Sequence, residues 1–195
     1  MKKLIPAIIL ASTLILACNS NEKTDTVPNT ETIEALNAES MVERGKYLVN
    51  SIGCADCHSP KIMGPHGPMD DPDRMLSGAP SDIVLADFDP KILNNYALFD
   101  MSLTAAVGPW GTSYSANLTP DETGIGNWSE EQFVTAIKKG KYKGLEGSRD
   151  LLPPMPWHYY SNLTTDDLKS IFAYLKTIKP IENIVPTAKP PVAMN

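Results

Sequence analysis

Three stretches of the chain repeat their apolar positions at helical spacing, and one leading stretch is apolar almost without a break. The first periodic stretch opens at Ser40, where Glu43 three residues on completes a capping-box pattern, and carries Met41, Gly45, Leu48 and Ile52 along one face. The second opens at Ser129 with Gln132 in the same relation; Phe133, Ala136 and Ile137 form its apolar side and Gly140 stops it. The third starts near Thr164 or Thr165, carries Leu168, Ile171, Phe172, Leu175 and Ile178, and runs to Pro180, whose ring cannot continue a helix. Period-two alternation competes nowhere, so the expected fold is mostly α.

Between residues 58 and 129 the periodicity disappears. Gly64-Pro65, Gly67-Pro68, Asp71-Pro72, Ala79-Pro80, Asp89-Pro90 and Gly108-Pro109 punctuate the stretch, which reads as mostly loop, with one short helix around Ile92 to Leu98. The leading apolar run, Leu4 to Ala17, follows Lys2 and Lys3; its 14 residues are too few for a bilayer span of about 20, so it reads as an export signal. Ile15-Leu16-Ala17-Cys18 resembles a bacterial lipobox, in which the cysteine is lipidated and becomes the first residue. The following residues, to Ala38, are rich in Asn, Thr, Glu and Ser and lack aromatics, as a flexible tether would. The expected organisation is a lipoprotein signal peptide over 1–17, a tether over 18–38, one domain over 39–182, and an extended C-terminal tail over 183–195 that lies over the domain or dangles.

Chemistry changes this picture at Cys54-Ala55-Asp56-Cys57-His58. Two thiols three residues apart on a helical turn can add across the two vinyl groups of one porphyrin edge, and the adjacent imidazole then points at the iron. A redox CxxC wants a βαβ context and a structural zinc site wants a second ligand pair at short spacing; neither pattern is present. The chain has three cysteines, so Cys18 for lipid with Cys54 and Cys57 for haem leaves none for a disulfide. Covalent haem attachment takes place outside the cytoplasm, where the leading segment would send the chain. The formal charge is −6, from 17 basic and 23 acidic residues; removing Lys2 and Lys3 leaves 15 basic residues and a charge of −8. That balance argues against nucleic-acid binding and favours steering toward a basic docking patch.

With the haem motif preceded by one amphipathic helix and the chain closed by another, the sequence resembles the class I cytochromes c from about Met41 to Pro180. Asn117-Leu118-Thr119-Pro120-Asp121, Thr123-Gly124-Ile125-Gly126, Trp128-Ser129-Glu130-Glu131-Gln132-Phe133 and Leu152-Pro153-Pro154-Met155-Pro156-Trp157 bring it nearest to exported monohaem cytochromes and to the cytochrome subunits of membrane-associated dehydrogenases. The resemblance implies a cytochrome c fold: first and last helices crossed near Gly45 and Tyr174 with Tyr47, Leu48, Phe172 and Leu175 on the flanks, long irregular loops, and one haem c per chain in a crevice. It also implies that Cys54 and Cys57 form the thioethers and that His58 is the proximal iron ligand. Its second ring nitrogen would donate to the carbonyl of Pro65, with Pro68 as the alternative.

Met155 is the candidate distal iron ligand, because Pro153, Pro154 and Pro156 restrict the backbone around it. His158 is the rival, and bis-histidine ligation would lower the reduction potential. Met63 and Met69 lie close to the proximal histidine in sequence, Met75 and Met101 lack a stiff frame, and His66 sits in the proximal loop. Trp110, Tyr114, Asn117, Trp128 and Arg149 are suitable donors for haem propionates. An iron with two protein ligands leaves no position for a small-molecule substrate. The expected function is one-electron transfer on the outer side of a bacterial membrane, in the periplasm or facing outward. The chain would pass electrons between a dehydrogenase or quinol-oxidising complex and a terminal oxidase or reductase, as a carrier and not itself an enzyme. Its partners would be redox proteins at the membrane, and Cys18 would hold the lipid anchor. The alternative is a five-coordinate haem gas sensor or haem enzyme with an open distal site.

Overall fold

The computed structural model describes residues 30–191, with side chains from residue 37 onward; the signal stretch, Cys18 and the first part of the tether lie outside the described residues. Helix α1 (Thr30–Ser51) begins well ahead of Ser40, so Ser40 and Glu43 are interior positions and not a cap. Residues 30–38, expected as tether, are therefore helical. Their composition allows it: Glu31, Glu34, Ala35, Leu36 and Ala38 are good helix formers, and a helix nucleated by the packed half beyond residue 41 extends through them at little cost. Among the described residues, no helix is long and apolar enough to cross a membrane.

Helix α5 (Thr165–Leu175) is capped by the Thr164 hydroxyl, which accepts from the amide of Asp167 at 3.0 Å. It ends five residues before Pro180 and forms with α1 the most extensive interhelical contact among the described residues. The two helices approach closely at Gly45: a Cβ there would lie 1.9 Å from the carbonyl oxygen of Ser170 and 2.8 Å from Cβ of Tyr174. Leu48 and Val49 of α1 join Leu168, Ile171, Phe172 and Leu175 of α5 in the core, completed by Leu76, Ile125 and Phe133. Phe133 comes from α3 (Glu130–Lys138) and packs 5.4 Å from the Phe172 ring centroid. Tyr47, expected on the buried flank, is instead exposed, with the Arg44 guanidinium over its ring. Arg44 also pairs with Asp167 at 2.9 Å, joining the two helices at their edge.

Ser129 caps α3 by accepting from the amide of Gln132 at 3.1 Å, as its sequence predicts, and Gly140 leaves the helix at φ 63°. The reciprocal half of the capping box is not made, because the Gln132 side chain donates to the carbonyl of Lys143 at 2.7 Å. A short helix α2 (Cys54–His58) follows α1, and a one-turn helix α4 (Trp157–Tyr160) precedes α5.

The expectation of a mostly α chain is corrected to a mixed one. Five short strands lie in the stretch read as loop. β1 (Lys61–Gly64) and β2 (Gly67–Asp70) form an antiparallel hairpin. β3 (Leu98–Phe99), β4 (Ala105–Gly108) and β5 (Gly111–Tyr114) form a second antiparallel sheet with β4 in the centre. All four residues of β4 are buried, so its sequence shows no alternation. The short helix expected near Ile92 is a 3₁₀ turn over Pro90–Asn94.

The C-terminal segment lies over the domain and is bonded to it. The Asn183 side chain donates to the carbonyls of Ser77 and Ala79 at 2.7 and 2.8 Å and accepts from the amide of Ser81 at 3.0 Å. Further along, Lys189 and Thr112 exchange both backbone bonds, at 2.9 and 3.0 Å, which fastens the segment to β5.

Two outcomes follow. Gly45→Ala is expected to reduce the unfolding free energy by about 1–3 kcal/mol in urea denaturation, because the obstruction is backbone and outweighs alanine's helix preference of about 1 kcal/mol. Asn183→Ala removes three hydrogen bonds and is expected to cost about 1–3 kcal/mol; hydrogen exchange should show the Ser81 amide losing protection while the amides of α5 keep theirs.

Candidate functional site

The site is built from the end of α1. The chain leaves that helix through Gly53, at φ 77°, a left-handed conformation that costs glycine nothing, and enters α2 at once. Cys54 opens this single turn, Cys57 stands three positions on, and His58 is its last residue. Helix α2 is too short to hold its own carbonyl end. Lys61 holds it: its ammonium donates to the carbonyls of Ser59, Asp56 and Ala55 at 2.6, 2.8 and 3.3 Å and pairs with Asp70 of β2 at 3.0 Å. A cation at a helix C-terminus is favourable both for its hydrogen bonds and for the dipole.

His58 Nδ1 lies 2.7 Å from the carbonyl oxygen of Ala116. A carbonyl can only accept, so Nδ1 carries the proton and Nε2 keeps its lone pair. Burial lowers the imidazole pKa and the bond to Ala116 opposes that shift, so the ring is neutral at pH 7. The expected acceptors, Pro65 and Pro68, are exposed on the β1–β2 hairpin. That hairpin turns away, and the chain returns beside His58 only at Gly78, whose amide donates to the His58 carbonyl at 2.7 Å. The Ala79 amide then donates to the Ser115 carbonyl at 2.9 Å, which brings Ala116 to the imidazole.

Burial pushes the Cys54 thiol up to about 11 and raises that of Cys57 as well, so both are protonated thiols at neutral pH. A dithiol redox centre needs the opposite, a thiol pKa lowered toward neutrality. Protonated thiols that add across vinyl groups, beside a neutral imidazole with a free Nε2, suit covalent haem attachment.

Met155 is half-buried in the loop between α3 and α4. Leu151 donates to the Gly140 carbonyl at 2.6 Å at the start of this loop; just past its end, the Tyr160 hydroxyl donates to the carbonyl of Ile52 at 2.8 Å. Tyr160 thereby ties the methionine loop to the base of the CxxCH helix, and burial raises its hydroxyl pKa. His158 is exposed, its ring against Trp157 at 4.8 Å. His66, Met63 and Met69 are exposed on the β1–β2 hairpin, Met101 is exposed before β4, and Met75 lines a small cavity with Val49, Ala55 and Tyr174.

Three of the five suggested propionate donors are committed elsewhere. Asn117 is buried and donates to Thr123 and to the Ile181 carbonyl, at 3.1 and 2.8 Å. The Trp110 indole donates to Ser113 at 3.2 Å, and Arg149 stacks on Tyr142 at 4.0 Å while donating to the Asp150 carbonyl. Tyr114 and Trp128, both half-buried, are the two with no such commitment among the described residues. Lys61, Ala116 and Tyr160 belong to no motif. Only Lys61 carried a sequence signal, a basic residue just past a helix end.

Residues 42–179 match the family described as Cytochrome c. The fructose dehydrogenase cytochrome subunit of Gluconobacter japonicus is 30% identical over 182 residues, covering 92% of this chain and 29% of that protein. The cytochrome c subunit of the quinone alcohol dehydrogenase of Gluconobacter oxydans is 38% identical over 160 residues, covering 80% of this chain and 26% of the relative. For the gluconate 2-dehydrogenase cytochrome c subunit of Pantoea cypripedii the figures are 31% over 137 residues, 70% and 23%. The chain thus spans less than a third of the length of these relatives. With its periodic helices, its CxxCH turn and most of its length inside the matched range, the chain belongs to the cytochrome c family, whose members carry covalently bound haem.

Proposed function

We propose that this chain is a monohaem one-electron carrier, exported and anchored through a lipid on Cys18, that passes electrons between a membrane-associated dehydrogenase or quinol-oxidising complex and a terminal oxidase or reductase. The observation that carries the reading is the state of the CxxCH turn. Its two thiols stand three residues apart on one helical turn, and the imidazole that ends the turn gives Nδ1 to Ala116 and leaves Nε2 free. Membership of the family supports electron transfer as the chemistry, and the relatives' names, all subunits of dehydrogenases, support a dehydrogenase as the electron source.

Haem, when bound, supplies the one-electron couple between ferric and ferrous iron. Each residue then has a defined task. Cys54 and Cys57 would hold the group covalently, so that it stays with the chain. His58 would bind the iron through Nε2, and the Ala116 carbonyl fixes its tautomer and rotation. Met155 would supply a thioether, a soft, weak donor that favours the ferrous state and raises the potential. Helices α1 and α5, in contact at Gly45, carry the core against which Cys54 and Ala55 pack. An acidic surface, net −6 for the whole sequence, steers the carrier toward basic patches on its partners.

Optical spectra of the ferric wild type should show the sulfur-to-iron charge-transfer band, and Met155→Ala should lose it. The variant should also bind CO when reduced, which a six-coordinate wild type resists. Rapid CO binding by the wild type would favour the five-coordinate sensor or enzyme instead. Met155→His should keep six-coordination and lower the reduction potential by on the order of 0.1 V, read by mediator titration. Cys18→Ser is expected to move the protein from the membrane to the soluble fraction on cell fractionation; if it stays membrane-bound, the anchor is elsewhere.

A further inference from the structure

Pro153, Pro154 and Pro156 restrict the backbone around Met155 but also strip it of donors. The only amide among these four residues is that of Met155 itself, which donates to the Leu152 carbonyl at 3.3 Å. A loop of this composition cannot fasten itself to the domain by its own backbone, so its position depends on donors supplied from elsewhere.

One such donor comes from β5. The Ser113 hydroxyl, buried at 8% exposure, lies 2.5 Å from the carbonyl oxygen of Pro153, two residues before Met155. The Ala106 carbonyl is also within reach, at 3.4 Å, but a hydroxyl has one proton and the shorter contact takes it. The lone pair of Ser113 is used too, accepting from the indole N–H of Trp110 at 3.2 Å. Trp110 is itself held: its ring lies over Gly108, where a Cβ would come within 2.4 Å of it. Beyond it, Thr112 is bonded in both directions to Lys189 of the C-terminal segment. The relay runs from a fastened hairpin through Trp110 and Ser113 to the proline loop.

We propose that Ser113, oriented by Trp110, is the positioning residue for the distal ligand, holding the Met155 loop in place against displacement of its sulfur. This rests on the reading of Met155 as ligand. It assigns a role to the β4–β5 hairpin, whose sequence carries no ligand and no motif chemistry. An iron–thioether bond is weak, so an external base competes for the position. The competition is set by how much freedom the loop gains when the sulfur leaves. A loop tied at Pro153 gains little; an untied loop gains more, and the external base binds more tightly.

The test is imidazole titration of the ferric holoprotein, followed through the Soret shift on imidazole binding in every variant and, where Met155 is present, through loss of the sulfur-to-iron band as well, with thermal unfolding recorded throughout. Ser113→Ala is expected to bind imidazole roughly three- to tenfold more tightly than wild type, the equivalent of one hydrogen bond. Ser113→Thr, which keeps the hydroxyl, should restore most of the wild-type value. Trp110→Phe, which removes only the orienting donor, should shift affinity in the same direction by less. In a Met155→Ala background the Ser113→Ala effect should vanish, as a double-mutant cycle requires when one residue acts through the other. Wild-type imidazole affinity in Ser113→Ala with the sulfur band intact overturns the positioning role and leaves Met155 as ligand. So does an effect that survives in the Met155→Ala background. Absence of the sulfur band from the wild type overturns both.

Discussion

The hydrogen bond from His58 Nδ1 to the carbonyl of Ala116 is the constraint through which the rest of the domain reaches the site. An imidazole at the end of a one-turn helix has two free torsions and two tautomers. A single bond to a backbone carbonyl removes one torsion and selects the tautomer, so the free nitrogen has a fixed identity and direction. That carbonyl is only as steady as the segment that carries it. The amide of Leu118 donates to the Leu76 carbonyl at 2.8 Å, Ala79 donates to Ser115 at 2.9 Å, and Asn117 ties the same segment to residues 123 and 181. The His58 imidazole is thus oriented by residues far from the CxxCH turn in sequence.

Much of this irregular region is held by side-chain amides and hydroxyls doing what a ladder of backbone bonds does in a sheet. Asn117 accepts from the amide and hydroxyl of Thr119 at 2.9 and 2.8 Å while its NH₂ group donates elsewhere. Asn183 does the same for residues 77, 79 and 81. An amide side chain can donate and accept at once, which suits a place where two chain segments meet without matching register. Among the described residues, no buried side-chain nitrogen or oxygen lacks a partner. Loop in this chain therefore does not mean loose.

The two sides of the site are secured in different ways. At His58 a backbone carbonyl fixes the imidazole itself, and Lys61 closes the helix that carries it. On the side of Met155 the prolines stiffen the loop locally, while its attachment to the domain comes from neighbouring elements, at Gly140, Ile52 and β5. Local stiffness and global placement are separate requirements. The prolines satisfy only the first.

The sequence by itself determined what depends on neighbours in the chain: the CxxCH motif, the cap at Ser129, a start of α5 near Thr164 or Thr165, the stop at Gly140, and the apolar faces that become the core of α3 and α5. The contact of α1 and α5 at Gly45 was an expectation of the family resemblance, in a place that a residue without a side chain suits. The sequence misplaced the start of α1, since a capping box at Ser40 reads the same inside a helix as at its end. It did not reveal the strands, because four buried residues such as Ala105-Ala106-Val107-Gly108 have no alternation to detect. Only the tertiary structure decided that the carbonyl of Ala116 and not that of Pro65 accepts the hydrogen bond from His58, that the Asn117 amide is given to Thr123 and Ile181, and that the C-terminal segment is bonded over the domain. Those outcomes are pairings between residues tens of positions apart. A hydrogen-bond partner is selected by where the folded chain returns, and local composition carries no record of that.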